Sequence, residues 1–341
     1  MIIVMKPKAL KKELNAVISR IKGLGYKPHT IYGETRNVIG AIGDERGKFV
    51  LQSLETLPGV EKVVPILTPY KLASREFKKE KTKIRITRDV AIGGEEVIVI
   101  AGPCSIEGQK MLTDTAKFVK KTGAKILRGG AFKPRTSPYS FQGLERKGLK
   151  YLLKASREAG IPVITEVMNP EDVDLIAEHA DILQVGARNI QNFGLLKKLG
   201  KTKRPVLLKR GMMTTINEFI MSAEYIISEG NGSVILCERG IRTFEDATRN
   251  TLDLSAIPVL GERTHLPVIV DPSHATGYSR YVKSMAFAAI AAGCDGLMIE
   301  VHPSPETALS DGGQSLDFSA FASLMGEIVP FVNAAGRTLA S

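Results

Sequence analysis

PVIVDPSHATGYSRYVKSMAFAAIAAGCDGLMIEVH, residues 267–302, holds two short apolar runs, PVIVDPSH and GLMIEVH, separated by a segment with helical periodicity. A run that is apolar on successive residues suits a strand buried on both faces. Its alternation with a helix points to a parallel sheet covered by helices. Working outward toward the N-terminus, VIVIAGP, KILRGG, PVITEV, ILQVGAR, PVLLKRG and SVILCERG repeat the pattern, which makes eight runs in all. Eight repeats over about 250 residues predict a (β/α)8 TIM barrel, for which that length is typical. A doubly wound open sheet is the alternative, since closure is not visible in a linear sequence. The closing segment DFSAFASLMGEIVPFVNA predicts a further helix with Phe318, Phe321, Leu324, Met325 and Ile328 on one face.

The barrel is placed at residues 86–341. Ahead of it a linker at 71–85, most of it the charged stretch REFKKEKTKIR, sets off residues 1–70. Those residues carry MIIVMK, a helical pattern from Ala9 to Leu24, two β-rich runs split at GETRN, a helix near 47–57, and VEKVVPIL. The order βαββαβ is that of a ferredoxin-like domain. No catalytic cluster is visible there, so assembly or solubility is the simplest role the residues themselves suggest.

The chain has 341 residues, more than one core usually supports, and its 43% hydrophobic and 24% charged content suits a globular protein. Lys and Arg number 47 against 36 Asp and Glu, a net charge of +11 that favours anionic partners. A nucleic-acid surface would interleave exposed cations with aromatics. Here the cations sit at strand ends and aromatics make up only 6%, so small phosphorylated metabolites are the better match. Cys104, Cys237 and Cys294 cannot form a closed disulfide set, which favours a reducing cytoplasm. No run of 18 apolar residues and no signal cleavage pattern occurs, so neither secretion nor a membrane is expected.

A barrel gathers the C-terminal ends of its strands at one mouth. The residues there are Cys104, Arg128, Glu166, Arg188, Lys209, Arg239, His274 and Glu300. The run KILRGGAFKPRTSPYSFQG, residues 125–143, adds Lys133 and Arg135, followed by Thr136 and Ser137. Any one of these cations reads most simply as a solvated surface group. Together, Arg128, Lys133, Arg135, Arg188, Lys209 and Arg239 would repel one another unless an anion compensated them, which points to phosphate and carboxylate groups. Cys104, His274 and Glu300 end strands one, seven and eight, neighbours across the closure, Asp311 lies in the loop that follows, and together they suit a divalent metal. Such mixed ligation favours Mn, Fe, Zn or Co over Mg or Ca. Cys237, Cys294, His29, His179 and His265 are read as structural; His302, two residues past Glu300, could line the pocket without ligating.

AGPCS, LRGGAFKPRTSPYSFQG, TEV, VGARN, LLKRG, CERG, DPSH, IEVHP and ALSDGGQSL, in order along residues 95–320, resemble the signature of 3-deoxy-D-arabino-heptulosonate 7-phosphate (DAHP) synthase. The likeness is to its short microbial form, which carries an N-terminal ferredoxin-like domain. The resemblance implies a metal-dependent, aldol-like condensation of phosphoenolpyruvate with D-erythrose 4-phosphate and water, the first step of the shikimate pathway. It implies metal ligands at Cys104, His274, Glu300 and Asp311, and phosphoenolpyruvate contacts at Arg128, Lys133, Arg188, Lys209 and Arg239. Arg135 and Thr136 then serve the erythrose phosphate, Glu166 positions the reacting water, and Lys133 protonates the developing alkoxide. It further implies feedback inhibition by tyrosine or phenylalanine on residues 1–70, and a cytoplasmic homotetramer. The alternative within the same chemistry is 3-deoxy-D-manno-octulosonate 8-phosphate synthase. Those enzymes resemble KANRSS where this chain has KPRTS.

Overall fold

Ile2, Ile3 and Met5 are buried on a short strand, β1 (Ile2–Met5), at the inside of an antiparallel sheet. It is followed by α1 (Lys11–Gly23), β2 (Lys27–Tyr32), β3 (Asn37–Ile42), a 3₁₀ segment Glu45–Thr56 in place of the expected helix, and β4 (Val60–Val64). The sheet order is β2-β3-β1-β4, that of a ferredoxin-like domain. Leu14, Val17 and Ile21, spaced three and four apart, put one face of α1 into a core with Ile3, Met5, Ile39, Leu51 and Leu54. The computed structural model describes residues 1–33, 35–43, 45–64, 69–134 and 137–340. The end of the VEKVVPIL run therefore lies outside the described residues.

The chain divides into two compact units, Met1–Glu80 and Lys81–Ser341. Residues 71–85, expected to be a linker, carry buried side chains within each of the two units. Leu72 and Phe77 are buried, and a Cβ on Gly40 of β3 would come within 2.8 Å of the Phe77 ring. Ile84 is buried in the core of the second unit. A lone aromatic among the eight charges of REFKKEKTKIR leaves the average composition polar, yet one buried ring is enough to pin a segment.

In the second unit a small hairpin, β5 (Ile84–Arg85) with β6 (Ala91–Ile92), precedes β7 (Glu96–Gly102). There follow α2 (Gln109–Lys121), β8 (Ile126–Arg128), α3 (Glu145–Ala159), β9 (Val163–Val167), α4 (Val173–Ala177), β10 (Ile182–Val185) and α5 (Phe193–Gly200). Next come β11 (Val206–Lys209), α6 (Ile216–Ser228), β12 (Val234–Glu238), α7 (Ala256–Arg263), β13 (Val268–Val270), α8 (Pro272–Thr276), α9 (Ser279–Ala291) and β14 (Gly296–Glu300). The chain ends in α10 (Phe318–Glu327), α11 (Val329–Ala334) and β15 (Thr338–Leu339). Strands β7 to β14 pair in parallel in sequence order, and β14 returns to pair with β7 from Gly296↔Ile98 to Glu300↔Gly102. The sheet is closed, which excludes the open doubly wound alternative.

Ile98, Ile100, Ile126, Ile164, Ile182, Leu207, Ile235, Ile269 and Met298 fill the barrel, joined by Ile84 and Ile92 from the hairpin. The last helical stretch is broken at Ile328, because Pro330 in the first turn of α11 has no N–H to continue α10. Phe321, Leu324, Met325 and Ile328 are buried as their spacing predicts, and Phe318 stacks on Phe118 of α2 at 4.0 Å. Among the described residues no helix is long and apolar enough to cross a membrane.

Candidate active site

The strand ends deliver their polar residues by slightly different routes. Arg128, Lys209 and Glu300 are the last residues of β8, β11 and β14, and Glu166 lies within β9. Arg188 is in a 3₁₀ turn after β10, Arg239 follows β12, and His274 sits in α8, one turn beyond β13. They converge: a cavity of about 330 Å³ is lined by Arg128, Lys133, Glu166, Arg188, Lys209, Arg239 and His274, together with Gln184 and Arg249. Cys104 lies just behind it, buried beside Lys133. Arg135 and Thr136 lie outside the described residues.

Four ligand-type atoms, one each from Cys104, His274, Glu300 and Asp311, lie within 4.8 Å of one another. His302 is not among them: its Nδ1 accepts from the Ser304 N–H at 3.1 Å and its Nε2 lies 3.4 Å from Glu107. The Cys104 thiol donates to Asp311 Oδ2 at 2.9 Å. Burial, then the nearby Glu300 carboxylate, pushes that thiol up to about 12, against the pull of Lys133. Asp271 caps α8 by accepting from the His274 backbone N–H and accepts the imidazole Nδ1–H at 2.7 Å. The ring therefore turns Nε2 toward Glu300 Oε1 at 3.2 Å. Burial pushes the His274 pKa down despite its two carboxylate neighbours, so in the neutral ring two acceptors face each other. Burial opposes ionisation of Glu300 and Asp311, but the charge His274 carries once protonated, helped by Arg128 at the first and by the Cys104 hydrogen bond and Arg249 at the second, holds both carboxyls below their usual range. A thiol, a free imidazole nitrogen and two ionised carboxylates are a donor set that a divalent transition metal fits. Asp271 behind the imidazole is the support such a ligand usually has.

The cations are less bare than their number suggests. Arg128 Nη1 donates to Glu300 Oε1 at 2.6 Å, Lys209 Nζ to Asp271 Oδ2 at 2.5 Å, and Lys133 Nζ to Cys104 Sγ at 2.9 Å. The expectation that only an external anion could hold the cations together is therefore corrected: three of them have partners inside the fold. Arg188 and Arg239 make no ion pair among the described residues, and Arg239 Nη1 is buried without a hydrogen-bond partner. That orphaned donor, with Arg188 alongside, is where the wall of the cavity calls for an anion. Glu166 is buried against the cavity, with Gln184 Nε2 3.5 Å from its Oε2. A Cβ on Gly186 would come within 2.0 Å of Glu166 Oε1, so glycine there makes room for the carboxylate.

Sequence reasoning missed Asp271, Gln184, Arg249 and Gln314. Asp271 and Gln184 carried a signal: a carboxylate at a strand end and an amide inside an otherwise apolar strand. Arg249, in the loop before α7, and Gln314, beyond Asp311, carried none that stands out from ordinary loop polarity.

The DAHP synthetase I family model matches residues 80–332, and that of the DAHP synthase ferredoxin-like domain matches residues 1–68. The phospho-2-dehydro-3-deoxyheptonate aldolase of Thermotoga maritima is 53% identical over 336 residues, 98% of this chain and 99% of the relative. The 2-dehydro-3-deoxyphosphooctonate aldolase of Syntrophobacter fumaroxidans is 32% identical over 256 residues, 70% of this chain and 88% of the relative. Among solved structures, the crystal structure of the phospho-2-dehydro-3-deoxyheptonate aldolase (DAHP synthase) of Thermotoga maritima superposes with a TM-score of 0.79 at 51% identity, covering 99% of this chain and 98% of the other. A truncated form of the Thermotoga maritima synthase gives 0.74 at 51% identity, covering 79% of this chain and 99% of the other.

Proposed function

We infer, from the premise that this chain belongs to the DAHP synthetase I family, how its barrel mouth performs the activity that membership brings. That activity is condensation of phosphoenolpyruvate with D-erythrose 4-phosphate and water to give DAHP and phosphate. The observation that supports the assignment of roles is the position of Lys133, which lines the anion cavity while its Nζ is 2.9 Å from Cys104 Sγ. One group thus touches both the substrate space and the ligand cluster.

In the proposed mechanism Arg188, Arg239, Lys209 and Arg128 hold the phosphate and carboxylate of phosphoenolpyruvate, and Arg135 and Thr136 hold the phosphate of the sugar. A divalent ion held by Cys104, His274, Glu300 and Asp311 would supply a Lewis acid for the aldehyde oxygen. Mn, Fe, Zn and Co all suit that set. As C3 of phosphoenolpyruvate adds to the aldehyde carbon, Lys133 gives its proton to the new alkoxide. C2 becomes electron-deficient, and water oriented by Glu166 adds there. The C–O bond to phosphate then breaks. Fixing two mutually repelling anions in attack geometry removes much of the entropic barrier, which is the work of the cationic wall. The test is phosphate release from phosphoenolpyruvate with erythrose 4-phosphate, arabinose 5-phosphate or neither. Release with the four-carbon aldehyde alone is expected; preference for the five-carbon sugar would give the octulosonate reading instead.

The unit Met1–Glu80 is proposed to carry feedback control by tyrosine or phenylalanine. Support comes from the ferredoxin-like match at residues 1–68 and from the lack of a metal-ligand cluster in that unit among the described residues. An inhibitor can shift a conformational equilibrium only by its differential affinity for two states, so removing its site removes the shift. A chain starting at Lys81 keeps the Lys81–Asp295 ion pair at 2.7 Å and the buried Ile84. It is expected to condense its substrates but to ignore both amino acids in a titration of initial rates. Equal inhibition of full and shortened chains would refute this role. Tetrameric assembly and cytoplasmic residence belong to the same proposal.

A further inference from the structure

Each acidic member of the ligand cluster shows one oxygen to the cluster and has the other engaged from behind. Glu300 turns Oε1, which also accepts from Arg128 Nη1 at 2.6 Å, toward His274 Nε2, while its Oε2 accepts from Gln314 Nε2 at 2.6 Å. Asp311 turns Oδ2 toward the Cys104 thiol, while its Oδ1 lies 3.2 Å from Arg249 Nη1. The same Arg249 Nη1 donates to Gln314 Oε1 at 2.9 Å. Gln314 is buried with both ends of its amide committed, and through it one guanidinium braces both carboxylates.

The loop is built to make this contact. Asp311 adopts a left-handed backbone, φ +54°, and a 3₁₀ turn Gly312–Gln314 follows, with the Gln314 N–H donating to the Asp311 carbonyl at 3.2 Å. That turn swings Gln314 back beneath Asp311. A Cβ on Gly312 would come within 2.1 Å of the Pro305 carbonyl oxygen, so only glycine lets the turn sit this close. A non-glycine residue in the left-handed region marks a conformation that the surroundings impose.

We propose that Gln314 and Arg249 are positioning residues that hold the rear oxygens of Glu300 and Asp311, so that each carboxylate presents a single oxygen to a bound divalent cation. This rests on the reading of Cys104, His274, Glu300 and Asp311 as metal ligands. Supports behind metal ligands typically contribute about 10- to 100-fold in affinity. Arg249 makes the inference sharp, because deleting a cation beside a cation site favours binding by charge alone; weaker binding after its loss reports lost positioning.

The test is titration of cobalt(II) into metal-free full-length protein, followed by the thiolate-to-cobalt absorption band. Gln314→Met is expected to bind about 10- to 100-fold more weakly with the band unshifted, since all four ligands remain. Arg249→Met is expected to bind more weakly as well, and Arg249→Lys, which keeps a donor, to bind nearly as the unaltered chain. Unchanged or tighter binding in Arg249→Met, with unchanged binding in Gln314→Met, overturns the proposal while leaving the ligand reading intact. Absence of the band in the unaltered chain, or its persistence in Cys104→Ala, overturns the ligand reading and this inference with it. Should Gln314→Met not fold, Arg249→Met decides, because that side chain is 40% exposed.

Discussion

Lys133→Ala is expected to lower kcat by about 10²- to 10⁴-fold, the usual contribution of a positioned proton donor, with a rise in the Michaelis constant for phosphoenolpyruvate. The side chain is buried, and its Nζ donates to Cys104 Sγ at 2.9 Å and to the Cys104 carbonyl at 3.0 Å. Burial works against its charge, but the negative potential of Cys104 and Glu166 outweighs it and raises its pKa, so the amine holds its proton until a stronger base forms. An alkoxide is such a base. Lys133→Arg separates the two duties: it keeps a cation for binding but transfers a proton poorly, so the Michaelis constant should recover more than kcat. Steady-state rates with each substrate varied in turn give both values. A kcat for the alanine variant within a few-fold of the parent would remove Lys133 from the chemistry.

Removal of the divalent ion is expected to abolish condensation, and addition of Mn, Fe, Zn or Co to metal-free protein to restore it. The aldehyde carbon is the weak point of the reaction, because the carbon nucleophile of phosphoenolpyruvate is poor and polarisation of the oxygen is worth several kcal/mol. Cys104→Ala is expected to lose metal binding while remaining folded. The substitution removes one buried sulfur and its contacts to Asp311, Ser310 and Lys133. Its stability cost falls in the ordinary range of about 0.5–3 kcal/mol. Circular dichroism melting and metal titration of the same sample distinguish loss of fold from loss of the ligand. Full turnover by protein shown to be metal-free by elemental analysis would defeat the assignment.

Most of the catalytic candidates were legible because a barrel turns a local property, the identity of the residue ending each strand, into a shared location. Arg128, Glu166, Arg188, Lys209, Arg239 and His274 could be named before any contact was known, and all of them line one cavity. What escaped were residues whose meaning depends on a partner. Asp271, a carboxylate at a strand end, shows what it does only when Lys209 and His274 are seen against it. Arg249 and Gln314 read as loop polarity until both are seen to hold the ligand carboxylates from behind.

The sequence by itself determined the alternation of buried strands with helices, the order of the two domains and the chemical types gathered at the mouth, since each depends on side chains a few positions apart. Only the tertiary structure decided that the sheet closes, through β14 on β7, and that the cations have partners inside the fold. The ion pairs join residues 172 apart for Arg128 with Glu300 and 62 apart for Lys209 with Asp271. Such pairs follow from strand register and closure, which depend on the packing of the whole barrel. The buried Phe77 in a charged stretch has the same cause: its immediate neighbours in sequence are charged, and the surface it packs on includes Gly40 of β3.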